Sequence, residues 1–190
     1  QNGDRICILL PNCLEYLLAD FALAKLGAIK VPLLSRLHFK EWTSIINDSG
    51  ATTLIFEESL LSSVIKNPHL PSSLKNLICV NRTKKELPEK VLDFYVILAE
   101  SPITEPEINV QAEDTLALMY TGGTTGKPKG VIHTHQTWVS IAIGHMLEDD
   151  MDRSCVTLHA AGLPHATGFF VLPTMLKGGT NVILDKFDPE

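Results

Sequence analysis

The side chains best equipped for chemistry fall in one stretch, YTGGTTGKPKG, running from Tyr120 to Gly130. Gly122, Gly123 and Gly126 let the backbone turn tightly and bring its amides close to an anion. Thr121, Thr124 and Thr125 add hydroxyl donors, Lys127 and Lys129 add positive charge, and Pro128 stiffens the exit. Many donors, little bulk and compensating cations are what a polyphosphate requires. A loop that only connects two strands needs some glycine. It does not need three threonines and two lysines directly behind the apolar run Leu116–Tyr120.

The common nucleotide loops do not fit. A P-loop needs GxxxxGK followed by Ser or Thr, whereas three residues separate Gly122 from Gly126 and Pro128 follows Lys127. The GxGxxG dinucleotide fingerprint and the kinase glycine loop are also absent. His133 and His135 form an HxH on a segment read as extended, which would turn both rings to one face. With no carboxylate or cysteine at ligand spacing, they read as packing or hydrogen-bonding groups beside the loop rather than a zinc site. No GxSxG supports hydrolase chemistry. Cys7 and Cys155 lie in apolar runs and read as core thiols, and Trp42 and Trp138 sit at helical spacing and also read as core.

The elements that must position this loop alternate in period. RICILL (5–10), AIKVPLL (28–34), ATTLIF (51–56) and LKNLICV (74–80) read as strands. Between them lie helical patterns: PNCLEYLLADFALAKLG with Asn12 as N-cap and Glu15 at N3, FKEWTSIINDSG, and the short EESLLSSVIKN. Residues 81–113 are charged and proline-broken, with a helical piece expected from Val91 to Leu98. Order returns at 114: a strand into the loop, a second strand GVIHTH, a helix QTWVSIAIGHML, then strand, helix and strand through SCVTLHA, ATGFFVLPTMLKGG and TNVILD. This pattern predicts an α/β fold, a mostly parallel β-sheet flanked by helices, with ligand at the carboxyl ends of the strands. Three regions follow: strand–helix repeats over 1–80, an irregular connection over 81–113, and the loop-bearing region over 114–190.

The chain has 190 residues, 45% of them hydrophobic, and 16 basic against 22 acidic side chains, a net charge of −6. That balance disfavours general nucleic-acid binding, which rewards a basic surface. The longest apolar stretch, Leu14 to Leu34, is broken by Glu15, Asp20, Lys25, Lys30 and Pro32, so no transmembrane segment is expected. Four dispersed cysteines without CxxC and no secretory leader point to a reducing, cytoplasmic setting. Asp188, Pro189 and Glu190 are spaced like the start of a new helix, and the expectation is a piece of a longer chain. A sheet cut open would leave an exposed edge, and pairing through it as a homodimer is expected.

YTGGTTGKPKGVIHTH resembles the signature of the adenylate-forming (AMP-binding) superfamily, of acyl-CoA synthetase and fatty-acid–CoA ligase type, whose usual form reads YTSGTTGxPKG with serine where Gly122 stands here. GDRICILLPNCLEYLLADFALAKLGAIKVPL and INDSGATTLIF resemble its early elements, so the likeness covers nearly the whole chain. GLPHATG stands in the place of the family's PLFHxxG, with Gly162 for proline and Pro164 for the aromatic residue. The resemblance implies ATP-dependent adenylation of a carboxylic acid, fatty acyl by the TGGTTG form, and transfer to coenzyme A. It implies phosphate binding by Thr121, Gly122, Gly123, Thr124, Thr125, Gly126 and Lys129, with Thr121, Thr124 and Lys129 acting on the leaving group. Thr124 or Thr125 would stand near Mg2+, and His165 and Gly168 would line the acid pocket. The family's adenine- and ribose-binding elements and mobile lysine come later than Glu190, so the isolated piece is expected to be weakly active or inactive. An amino-acid or aryl-acid adenylation domain, or a non-catalytic nucleotide-binding half-domain, are the alternatives.

Overall fold

The computed structural model describes residues 2–35, 37–121 and 128–185. Strands β1 (Arg5–Leu9), β2 (Ile29–Pro32), β3 (Thr53–Glu57), β4 (Asn76–Val80), β5 (Val91–Asp93), β6 (Thr115–Thr121) and β7 (Lys129–Thr134) form one sheet in the order β5-β4-β3-β1-β2-β6-β7. Every pairing is parallel except β6 with β7. The α/β expectation is therefore met: a mostly parallel sheet, with helices on both faces. A separate parallel pair, β8 (Val156–His159) and β9 (Thr180–Ile183), follows.

Alternate residues of the central strands feed two cores, because successive side chains in a strand point to opposite faces. On one face Cys7, Leu9, Val31, Leu54 and Phe56 pack against Trp42, Ile45 and Ile46 of helix α2 (Phe39–Ser49) and Val64 of α3 (Leu61–Ile65). On the other, Ile8, Leu10 and Ile55 meet Tyr16, Ala19 and Leu23 of α1 (Leu14–Lys25) and Phe94 of α4 (Phe94–Glu100). Helix α5 (His135–Glu148), a 3₁₀ turn over Ala166–Phe170 and helix α6 (Val171–Leu176) are the remaining helical elements of the later region. The left-handed Gly50 ends α2, as the Ser49-Gly50 pair predicts.

Several local expectations are corrected. Asn12 does not cap α1: Cys13 occupies that position without a side-chain cap, and Asn12 is engaged elsewhere. Val91 begins strand β5 rather than a helix, because it pairs with Leu77 and is buried; the helix starts after Asp93, whose carboxylate accepts from the Tyr95 amide. The EESLLSSVIKN helix shrinks to a 3₁₀ turn and the five residues of α3. His133 lies in β7 but His135 is the first residue of α5, so the two rings do not share a strand face. Trp138 is half-buried rather than core, and Cys155 precedes β8 and is partly exposed. The spacing of Asp188 to Glu190 lies outside the described residues.

Candidate active site

Strand β2 and the β6–β7 hairpin bring the chemically equipped residues to one end of the sheet. Thr121 ends β6 directly opposite Lys129, which opens β7. The intervening loop therefore leaves from a fixed base at the carboxyl end of β6. Gly122, Gly123, Thr124, Thr125, Gly126 and Lys127 themselves lie outside the described residues. Tyr120 is anchored just before the loop: its hydroxyl donates to the Asp48 carboxylate of α2 at 2.6 Å. Burial and that carboxylate raise its pKa, keeping the phenol protonated. Its ring lies against Gly130, where a Cβ would stand 3.1 Å from the ring and press on it.

Beneath the hairpin base opens a cleft of about 850 Å³. Leu34, Leu37 and Ile45 form one side, Met119, Thr121 and Val131 the sheet side, and Pro164, His165 and Phe169 the far wall. The exposed hydroxyl of Thr121 at its rim and the ammonium of Lys129 at the loop base are a donor set suited to phosphate oxygens. The carboxylates nearby are engaged: Glu41 accepts from the His38 amide and Asp48 from Tyr120. Thr124 and Thr125, expected near magnesium, are outside the described residues, and among the described residues no three His, Cys, Asp or Glu side chains cluster as metal ligands.

The GLPHATG segment is a tight turn in which the His165 amide donates to the Gly162 carbonyl and the Gly168 amide to the His165 carbonyl, both at 3.0 Å. His165 is exposed at the cleft wall. Gly168 lies behind it with its α-carbon against the chain: a Cβ there would come closer than 3.0 Å to the Leu163 carbonyl oxygen. Asn12 fixes this turn to the end of β1. Its amide nitrogen donates to Ala161 O at 2.8 Å, and its oxygen accepts from the Leu163 amide at 2.8 Å. The adjoining His159 is fully buried between Thr167 and Asn181, with ring nitrogens at 3.2 and 2.7 Å from them, and is a structural histidine.

One cluster had no motif to announce it. Lys30 of β2 is buried, with Nζ 2.5 Å from Asp20 of α1 and 3.8 Å from the centre of the Trp138 ring. Its sequence signal was a lysine inside an apolar strand and an aspartate inside an apolar helix, which implies a buried pair. His133 lies near this cation, and burial followed by the Lys30 charge lowers its pKa from the ordinary 6.5. A histidine lowered on folding binds protons better in the unfolded chain. Its contribution to stability is complete above about 6.5 and declines as pH falls below that value. Replacing Lys30 by Met should therefore move the His133 titration upward in an NMR pH series; an unchanged midpoint would contradict the coupling. The buried Cys7 and half-buried Cys13 offer no competing nucleophile, since desolvation pushes their thiols up to about 12 and about 11.

The sequence pattern of the AMP-binding enzyme family matches residues 1–190. The chain belongs to this family. Among its curated AMP-binding relatives, a feruloyl-CoA synthase from Amycolatopsis sp. is 34% identical over 192 residues, covering all of this chain and 35% of that protein. The long-chain-fatty-acid–CoA ligase FadD13 of Mycobacterium tuberculosis is 30% identical over 196 residues, covering 98% of this chain and 36% of the relative. The chain thus spans about a third of the length of these relatives. Among solved structures, the anthranilate CoA ligase AuaEII in complex with anthranoyl-AMP superposes with a TM-score of 0.88 at 25% identity, over 98% of this chain and 36% of that one. The N-terminal domain of FACL13 from Mycobacterium tuberculosis gives 0.81 at 27% identity, over 98% and 45%. No described helix is long and apolar enough to cross a membrane.

Proposed function

We propose that residues 1–190 are part of the adenylation domain of an ATP-dependent acid–thiol ligase that activates a carboxylic acid of fatty-acyl type and passes it to coenzyme A. The observation that carries this reading is the hairpin base, Thr121 opposite Lys129, standing over an apolar cleft lined by His165 and Phe169. Bound ATP supplies an electrophilic α-phosphorus and a pyrophosphate leaving group. In the first step a carboxylate oxygen bonds to that phosphorus as the bond to pyrophosphate breaks. This chain's task is electrostatic: charge grows on the leaving group, and donors fixed beforehand stabilise it most. Lys129, Thr121 and Thr124 would act there, with Gly122, Gly123, Thr125 and Gly126 supplying close backbone approach. Thr124 or Thr125 would stand by Mg2+. The cleft takes the acid's apolar part, with His165 and Gly168 shaping the wall near its carboxylate. In the second step the coenzyme A sulfur bonds to the acyl carbon and AMP leaves.

In this reading residues 1–80 and 114–190 build the frame and the site, and 81–113 connects them. The polypeptide of 190 residues alone is expected to turn over weakly or not at all, since it spans a third of its relatives. The free state of all four cysteines supports a cytoplasmic enzyme, and the net charge of −6 supports small-molecule partners over nucleic acid. Strand β7 is an edge among the described residues and exposes Val131 and Ile132, which supports pairing between copies of the chain. Sedimentation of residues 1–190 as a monomer at high concentration would contradict that pairing. For the activity, the test is product identity: mass spectrometry of the full-length polypeptide with ATP, an acid and coenzyme A should show AMP and an acyl thioester. An adenylate that never yields a thioester would point instead to an amino-acid or aryl-acid adenylation domain.

A further inference from the structure

We infer that Trp138, clamped by the buried Lys30, is the stop that limits how long an acid the cleft accepts. The inference rests on the ligase reading and names the substrate class of that same cleft: acids of medium length, with long-chain acids excluded.

Register fixes the depth. On the face of the sheet turned toward α5, the rows Thr121–Lys129, Met119–Val131 and Ala117–His133 descend from the mouth. Thr121, Met119, Val131 and His133 all line the cleft, and nothing deeper in β6 or β7 does. Four residues of strand separate Thr121 from the Ala117 row, roughly 13 Å at the usual rise. At that level the strands' share of the lining ends. The His133 ring meets Trp138 edge-on, with centroids 5.8 Å apart and planes at 89°, and Trp138 lies against Phe169 at 4.6 Å. His133 and Phe169 are the last lining groups on this side, and the Trp138 ring packs on both without lining the cleft itself.

An aromatic plug could swing aside for a longer tail, but this one is held. Lys30 shares its row with Ala117 and His133 and holds its ammonium over the Trp138 ring, 3.8 Å from the centroid, while also pairing with Asp20 at 2.5 Å. Only 3% of Lys30 is exposed, so moving the indole would strip a buried cation of one of its two partners. A tail pushed past the indole would press methylene groups against that ion pair, which apolar chain cannot solvate. The same pair thus fixes the stop and makes the space beyond it hostile to acyl chain.

The test is ATP–pyrophosphate exchange by the full-length polypeptide with octanoate and palmitate, compared as the ratio of their kcat/KM values. The wild-type ratio should favour octanoate by roughly tenfold or more. Trp138→Ala should shift the ratio toward palmitate by about tenfold. Lys30→Met leaves the indole in place but unclamped, and should move the ratio in the same direction by less. Melting curves and a second variant, Trp138→Leu, separate a change of selectivity from a folding defect. Wild-type preference for palmitate would overturn the stop while leaving the ligase reading intact. So would equal losses for both acids in the variants, the signature of a merely structural role. Exchange with no acid at all would overturn the ligase reading and the stop with it.

Discussion

Replacing Gly168 by alanine is expected to destabilise the chain by about 2–3 kcal/mol, a fall of roughly 4–12 °C in Tm for a protein of this size. The added methyl would come within 3.0 Å of the Leu163 carbonyl oxygen, a backbone atom that cannot rotate away. Nor can the turn easily relax as a body. The Leu163 amide is held by Asn12, Pro164 is buried, and the amides of His165 and Gly168 close successive bonds along the segment. Whatever movement does occur must displace His165 and Phe169, which line the cleft, so any activity should fall with stability. Gly144 is the internal control. A Cβ there meets nothing within 4 Å, and it sits within α5, so alanine should be neutral or stabilising by up to about 1 kcal/mol. Thermal melts of the two variants side by side decide the matter; equal midpoints would show that the turn is not sterically locked.

Lys129→Ala should do the opposite, sparing the fold and removing function. Lys129 is an exposed residue at the end of an edge strand, where a substitution changes stability by no more than about 0.5 kcal/mol. In the proposed chemistry its ammonium faces charge that appears on the leaving pyrophosphate. Losing one such donor typically costs about 10²–10³ in kcat. Lys127, at the variable position of the motif, should lose far less on the same change. Single-turnover adenylation by the two variants of the full-length polypeptide checks this, and equal losses would remove Lys129 from its assigned role.

The larger framework was legible because its signals are periodic and local. Apolar runs such as Leu54–Phe56 and the 3.6-residue recurrence of Trp42, Ile45 and Ile46 each determine their own element. Three β-strand–helix units in series then leave little freedom in how the sheet is wound. What escaped was competition between local and distant partners. Asn12 has the chemistry of an N-cap, but three backbone groups between His159 and Leu163 claim it instead, and nothing in the neighbouring sequence announces partners about 150 residues away. Val91 carries an apolar side chain compatible with helix, and only the free edge of β4 makes it a strand. Trp138 sits at core spacing yet packs on a cation, since a helix pattern shows which face turns inward but not what waits there.

The site divides the same way. Thr121, Lys129, His165 and Gly168 could be chosen from motif residues, because their chemistry and spacing are written contiguously. That His165 and Phe169 face the hairpin base across one cleft depends on how the β8 region folds back on β1, through Asn12. The Lys30–Asp20 pair was half-visible as two charges in apolar surroundings. Its contact with Trp138 required the β2–β6–β7 row that only the assembled sheet supplies.

The central claim is that this cleft and loop belong to an enzyme that adenylates a carboxylic acid. Its most direct measurement is exchange of labelled pyrophosphate into ATP by the full-length polypeptide, with and without octanoate, beside the Lys129→Ala variant. Exchange that depends on the acid and falls about a hundredfold in the variant is the expected result. Exchange that proceeds equally well without any acid, or that the variant leaves unchanged, would contradict it.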